Sequence, residues 1–568
     1  MFDAVSRHRR LWPHVVGLWL LLLAATWIVD VDRAVFDADE GALLIQAQSL
    51  AEEGDWWAAH PGTHVDPDLR WVGISHARVD DGRVVAFPVR PVLVWATSGA
   101  WDLGGVRAAT LLGITGVAAA AWAVARLAGR LEARSTLLAF WLAGAASPLA
   151  FQALVLQGHG IAVGGAALSL WAVVRLSHDP PLRSGSILAA AILAIAGASL
   201  AGVVRRETLL LGVAIALAGA IDFLRHRRLR QLLLCSLPLG GAALGVFVDH
   251  LLMTRVIDVG GRSIPGASSD GSFIAERLQS LGMIITPGFG DDPALPHALA
   301  LAAALLLVVG VLRYLRREDT TELTVATALA AALLLVRLVL APEPVIPGLL
   351  VAFPVGVAGF VLGVRAVRRE PLGQFLVTTT VIMIGLVVLT QYSFGGGFEW
   401  GSRYLSSALL TGIPVAAVGL VRTTDAVPPD RTRSILVASI AVVALAPTAM
   451  GMLAQRHARA ATADAIEAGV AAANALGVDV VVSTHPELPR SHRDQLRGDL
   501  AWFHSWAQEL PVFLPQMAEA GYDSLPVFTR DLDETIENLD GTGWSITDLR
   551  LVPYSPGDQV LGTLVRDD

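Results

Sequence analysis

Long apolar runs recur along this chain from residue 11 to residue 453, separated by polar stretches that are alternately short and arginine-rich or longer and mixed. Each run can cross a hydrocarbon core of about 30 Å as an α-helix. The polar breaks place helices at 11–29, 103–125, 136–152, 158–175, 186–203, 208–224 and 231–252. Further helices follow at 297–315, 322–341, 347–366, 373–392, 404–421 and 434–453. The pattern predicts a polytopic α-helical membrane protein of about thirteen spans.

Arginine orients it. Clusters stand at Arg7, Arg9 and Arg10; at Arg126, Arg130 and Arg134; and at Arg225, Arg227, Arg228 and Arg230. They return at Arg313, Arg316 and Arg317, at Arg365, Arg368 and Arg369, and at Arg422, Arg431 and Arg433. Short basic loops face the cytoplasm, so the N-terminus is expected inside and segments 30–102, 253–296 and 393–403 outside. An odd number of spans puts the C-terminus outside as well. The first apolar run follows three arginines as a signal peptide would, but without a small-residue cleavage site it reads as a retained helix.

After residue 453 the pattern changes. An Ala-rich helix (458–476) leads into DVVVST (479–484), LPVF (525–528) and SITDLRLVPY (545–554), which read as strands. Residues 454–568 are therefore expected to fold as a small extracytoplasmic α/β domain, and residues 1–453 as the transmembrane domain.

Composition agrees. Hydrophobic residues make up 54% of the chain and charged ones 16%, where a soluble protein carries about 25% charged residues. The net charge of −8 is an average over two aqueous faces and points to no nucleic-acid partner. All 42 basic residues are arginine, a bias of GC-rich bacterial genomes. The lone Cys235 excludes an intrachain disulfide.

Candidate chemistry gathers in the long segments. Residues 36–57, FDADEGALLIQAQSLAEEGDWW, open with Asp37, Asp39 and Glu40. Asp37 and Glu40 have the spacing of a capping box, which leaves Asp39 surplus. Leu43, Leu44, Ala47, Leu50 and Ala51 follow at helical spacing, as for a helix lying in the membrane interface. His60, His64 and Asp66 are candidate ligands of a divalent metal, with a polar loop as the simpler reading.

Arg205 and Arg206, followed by Glu207, fall on the outer side, against the positive-inside tendency. A guanidinium there suits a bidentate grip on phosphate; pairing with Glu207 is the alternative. His159 is an outward-facing candidate substrate contact.

The stretch DEGALLIQAQSLAEEGDWW resembles the first outer loop of GT-C membrane glycosyltransferases, in the branch of protein O-mannosyltransferases and lipid A aminoarabinose transferases. Asp39 and Glu40 match that family's acidic pair, and Gly54, Asp55 and Trp56 its Gly-Asp-Trp ending. Leu43 and Leu44 stand where the family often has an aromatic residue. GGGFEWGSRYLSSALL (395–410) resembles the Gly-aromatic-Gly-x-Arg-Tyr segment of bacterial members, with Arg403 as its arginine and Glu399 and Tyr404 as candidate substrate contacts.

The resemblance implies a GT-C-like fold and transfer of a sugar from a polyprenyl-phosphate-linked donor, with inversion. The acceptor would be an extracytoplasmic glycan, glycolipid or protein, and the site a bacterial plasma membrane. Asp39 is the expected base, supported by Asp37 and Glu40, and Arg205, Arg206 and Arg403 the phosphate-binding residues. A soluble sugar nucleotide is not expected as donor, because the chain has no cytosolic nucleotide-binding domain. The rival readings are a lipid or sugar transporter or flippase, and a non-catalytic envelope-assembly protein on the same fold.

Overall fold

The structure, a computed structural model, describes residues 2–178, 184–227, 229–256, 262–263, 272–285, 294–340, 348–390, 400–554 and 557–567. The chain forms two compact units. One comprises Met1–Ile28, Thr110–Asp249 and Asp270–Ala454 and is helical; the other comprises Val29–Ala109, His250–Ser269 and Gln455–Asp568 and holds the sheets.

Among the described residues, eleven helices are long and apolar enough to cross a membrane. Every expected span falls on a helix, but two are broken. Segment 136–152 forms Ser135–Gly144 and Pro148–Gln152, and segment 347–366 forms Leu349–Ala352 and Pro354–Val367. Both breaks precede a proline, which lacks the N–H to continue a helix but suits a first turn. At the former, Ser147 Oγ caps the new helix by accepting the Leu149 N–H at 3.3 Å. Helix Pro91–Leu131 is interrupted at Gly104 and Gly105; Gly105, at φ 65 and ψ −151, occupies a region open essentially to glycine alone.

Small residues set how closely the spans pack. A Cβ on Gly116 would lie 2.1 Å from the Gly160 carbonyl oxygen, and one on Gly164 would lie 2.6 Å from that of Gly116. The Gly160-x-x-x-Gly164 face of helix His159–His178 thus lies directly on the backbone of helix Pro91–Leu131. Membrane helices rely on such close approach because lipid supplies no hydrophobic drive between them.

In the second unit, β1 (Ala58–Ala59), β2 (Arg78–Asp80) and β3 (Arg83–Val85) join β4 (Arg262–Ser263) in a sheet of order β1-β3-β2-β4. The C-terminal segment contributes β5 (Val480–Ser483), β6 (Ala501–His504), β7 (Ser524–Thr529), β8 (Trp544–Val552) and β9 (Gln559–Arg566). Their order is β6-β5-β7-β9-β8. The first three strands are parallel, and β9 returns antiparallel between β7 and β8.

Strand alternation fills both faces of this sheet. Val480, Val482, Phe503, Phe513 and Val527 lie in one core cluster; Val481, Trp502, Phe528 and Tyr554 lie in the other. Val65 and Trp71 of the first long segment belong to the former cluster. Trp71 also donates through Nε1 to Gln516 at 2.9 Å, and its carbonyl accepts the His504 N–H at 2.8 Å. Burying each such large side chain contributes about 1.5–3 kcal/mol.

Candidate functional site

Helix Ala38–Glu53 begins with the three carboxylates, and each has a different fate. Asp37 is the N-cap, its Oδ1 accepting the Glu40 N–H at 2.9 Å. Glu40 reaches back and accepts the Phe36 N–H at 2.6 Å, one residue beyond the expected capping-box partner. Glu40 and Arg459 form a fully buried ion pair at 3.0 Å, and Arg459 also donates to the Ala34 carbonyl at 2.7 Å. Asp39, whose side chain is 35% exposed, meets Arg490 at 2.7 Å.

The expected one-sided apolar stripe is corrected. Residues 40–49 are buried on every side rather than along one stripe. Gly41 is why the far side can be covered: a Cβ there would lie 2.2 Å from the Arg490 carbonyl oxygen.

Around Asp39 the fold gathers His76 of the same loop together with Glu487 and Arg490, which the sequence did not single out for chemistry. Burial pushes the Glu487 carboxyl above the usual range; Arg490 and Arg530 oppose this and Asp39 adds to it. Burial and the nearby Arg490 hold His76 neutral below its ordinary range, with Asp39 opposing. Glu487 and Arg490 lie some 450 positions from Asp39 along the chain, so no local pattern could have linked them to it.

His60, His64 and Asp66 are not brought together as a metal site. Among the described residues, no three His, Cys, Asp or Glu side chains gather to hold an ion. Residues Pro61–His64 form a 3-10 turn, in which positions four apart are offset by about 120°. His60 Nδ1 accepts the Gly62 N–H at 3.1 Å, and burial pushes the ring down to about 4. His64 meets Asp479 at 3.3 Å. Asp66, buried, accepts the Trp71 N–H at 2.6 Å.

In the helical unit, Arg205 directly follows helix Ser184–Val204, precedes the turn Arg206–Thr208 and is 2% exposed. Its Nε donates to Glu207 at 2.5 Å, one terminal nitrogen to the Gln157 carbonyl at 3.4 Å and the other to His159 Nε2 at 2.5 Å. Because Arg205 has only protons to give, His159 accepts through Nε2 and carries its own proton on Nδ1, which faces Glu207 at 4.0 Å. Arg403 donates to Gln157 Oε1 at 3.0 Å and lies 5.3 Å from the Tyr404 ring centroid. Gln157, not singled out by the sequence, thus bridges two of the expected arginines.

Arg206 points elsewhere, to the buried Asp249 at 2.9 Å. Arg205, Arg403, His159 and Tyr404 therefore converge, and Arg206 stands apart from them. Glu399 lies outside the described residues.

No protein-family model and no curated protein matches the chain. Among solved structures it is similar to ArnT from Cupriavidus metallidurans. The apo state gives a TM-score of 0.50 at 11% identity, covering 96% of this chain and 98% of that one. ArnT bound to undecaprenyl phosphate gives 0.53 at 13% identity, covering 96% and 97%. The likeness extends over both chains almost end to end, and at these identities it is a likeness of fold alone: the chain has the fold of ArnT.

Proposed function

From that fold, we propose that the chain is a membrane glycosyltransferase that moves a sugar from a polyprenyl-phosphate-linked donor to an acceptor hydroxyl. The carrying observation is the Arg205–Gln157–Arg403 arrangement, with Arg205 and Gln157 buried, within an ArnT-like fold. An arginine buried at the end of a membrane helix is costly to maintain unless it has a partner or a task. Glu207 holds Arg205 through Nε, whereas the contacts on its terminal nitrogens are to neutral acceptors. A phosphate oxygen forms a stronger, charge-assisted bond and can displace them.

In the reaction, the acceptor oxygen attacks the anomeric carbon and the bond from that carbon to the phosphate oxygen breaks. The polyprenyl phosphate leaves as an anion stabilised by Arg205 and Arg403. The acceptor proton passes to Asp39, and the configuration at the anomeric carbon inverts. Asp37 and Glu40 hold the helix start that carries Asp39. Arg490, paired with Asp39 at 2.7 Å, fixes the direction in which that carboxylate points. The same reading places the chain in a bacterial plasma membrane, with its N-terminus cytoplasmic and the C-terminal domain extracytoplasmic. The acceptor is an envelope glycan, glycolipid or protein.

Transfer of radiolabelled sugar from a polyprenyl-phosphate donor, assayed in membranes, tests this. Asp39→Asn is expected to lower the rate by about 10²–10⁴-fold, and Arg205→Gln by about 10²–10³-fold. Undiminished transfer by Asp39→Asn would remove that carboxylate from the mechanism. Absence of transfer by the unaltered protein from every polyprenyl-phosphate donor would favour an assembly protein on the same fold.

A further inference from the structure

A cavity lies where helices Ala294–Arg317, Pro354–Val367 and Ser406–Ala426 reach their C-terminal ends. Its volume is about 490 Å³, within the usual range for small-molecule sites. Arg403 stands just before the start of helix Ser406–Ala426 and Arg422 near its end. Nineteen helical residues rise about 28 Å, roughly the thickness of the hydrocarbon core. The cavity and the Arg205–Arg403 cluster therefore sit at opposite ends of the bundle.

Arg365, Arg368, Arg369 and Arg422 line the cavity, with Glu318 and Glu370 as its only carboxylates, an excess of two positive charges. Two of the arginines help to build it. Arg365 pairs with Glu318 at 2.7 Å and donates to the Leu315 carbonyl at 2.9 Å, and Arg422 donates to the Ala366 carbonyl at 2.8 Å. Such contacts complement the negative ends of helices and account for those two. They do not account for Arg368 and Arg369, which are exposed and make no ion pair among the described residues.

The cavity also has an apolar neighbour. Leu362 and Thr423 line it and also line a narrow seam whose other walls include Leu307, Val311, Val355 and Ile440. A charged mouth at the end of an apolar, membrane-spanning bundle is suited to an amphiphile.

We propose that this cavity binds the headgroup of an anionic phospholipid, with Arg368 and Arg369 on the phosphate and the acyl chains along outer helix faces such as that of Val309 and Leu312. Basic pockets between membrane helices commonly take such headgroups. The recognised chemistry is a phosphate oxyanion, and the position of the mouth at the end of membrane-spanning helices favours lipid over free phosphate as its source. The inference does not depend on the proposed transferase activity.

Native mass spectrometry and melting of the full-length protein in detergent test it, with phosphatidylglycerol, phosphatidylcholine and inorganic phosphate as probes. Phosphatidylglycerol is expected to form a one-to-one adduct and to raise the melting temperature, and phosphatidylcholine to do neither. In Arg368→Gln/Arg369→Gln the affinity should fall at least about tenfold, while melting without lipid stays as in the unaltered protein. The control Arg225→Gln/Arg227→Gln should retain binding. Equal binding of the two lipids, an equal loss in the control, or unchanged affinity in the rim variant would overturn the proposal. Equal stabilisation by inorganic phosphate would identify a soluble-anion site and overturn the lipid.

Discussion

Asp37, Asp39 and Glu40 are chemically alike, yet one caps a helix, one sits half-exposed against Arg490, and one is sealed in a core with Arg459. The sealed pair is the most sensitive. Glu40→Gln leaves Arg459 buried without its counter-charge, which should cost about 3–5 kcal/mol, whereas Glu40→Leu with Arg459→Met should recover most of that loss. Chemical denaturation of the two variants separates them. His60, His485, His492 and His504 are pushed by burial down to about 4, from 6.5 when unperturbed. The folded state holds them neutral while the unfolded chain protonates them, so their cost appears as pH falls through 6.5 and levels near 4. Melting of the sheet-bearing unit, followed by near-ultraviolet circular dichroism, should be flat from pH 7 to 8 and fall steadily from 6.5 towards 4. Glu487 acts in the opposite sense. Its raised carboxyl binds protons more tightly when folded, so its cost grows as pH rises past the ordinary carboxyl range. Glu487→Gln should therefore melt higher than the unaltered protein at pH 7 and lose that advantage at pH 4.

At the scale of elements, the apolar runs were legible because a hydrocarbon core demands length and apolar character together, and the broken helices follow prolines already visible in the chain. Helix Ala38–Glu53 was legible as a helix, but not in its setting. A stripe of Leu43, Leu44 and Ala47 looks the same whether the opposite face meets water or a covering backbone, and Gly41 matters only once Arg490 lies against it. The crossing at Gly160 carries its own prediction. Gly160→Leu would force a side chain into the backbone of Gly113, 2.5 Å from a Cβ at that position. Overpacking of this kind costs about 1–3 kcal/mol, so reduced detergent melting with unchanged insertion is expected, measured by size-exclusion thermostability.

For the molecule as a whole, segments far apart in sequence fold as one unit. Trp71 lies in the core of the C-terminal sheet, and Val72 bridges Phe503 of β6. Trp71→Ala should cost about 3–5 kcal/mol and expose β6 and its neighbours to protease, although the substitution lies more than 400 residues from that strand. Limited proteolysis read from the C-terminus would detect it.

Sequence alone determined that the chain crosses a membrane many times and that a strand-bearing segment follows the last span. These properties follow from local periodicity and from the cost of exposing polar groups to lipid, which no distant contact can waive. Only the tertiary structure decided that Arg490 faces Asp39, that Arg459 consumes Glu40, that Gln157 joins Arg205 to Arg403, and that His60, His64 and Asp66 part company. Those pairings depend on which backbones meet in space, and the individual segments carry no record of their partners.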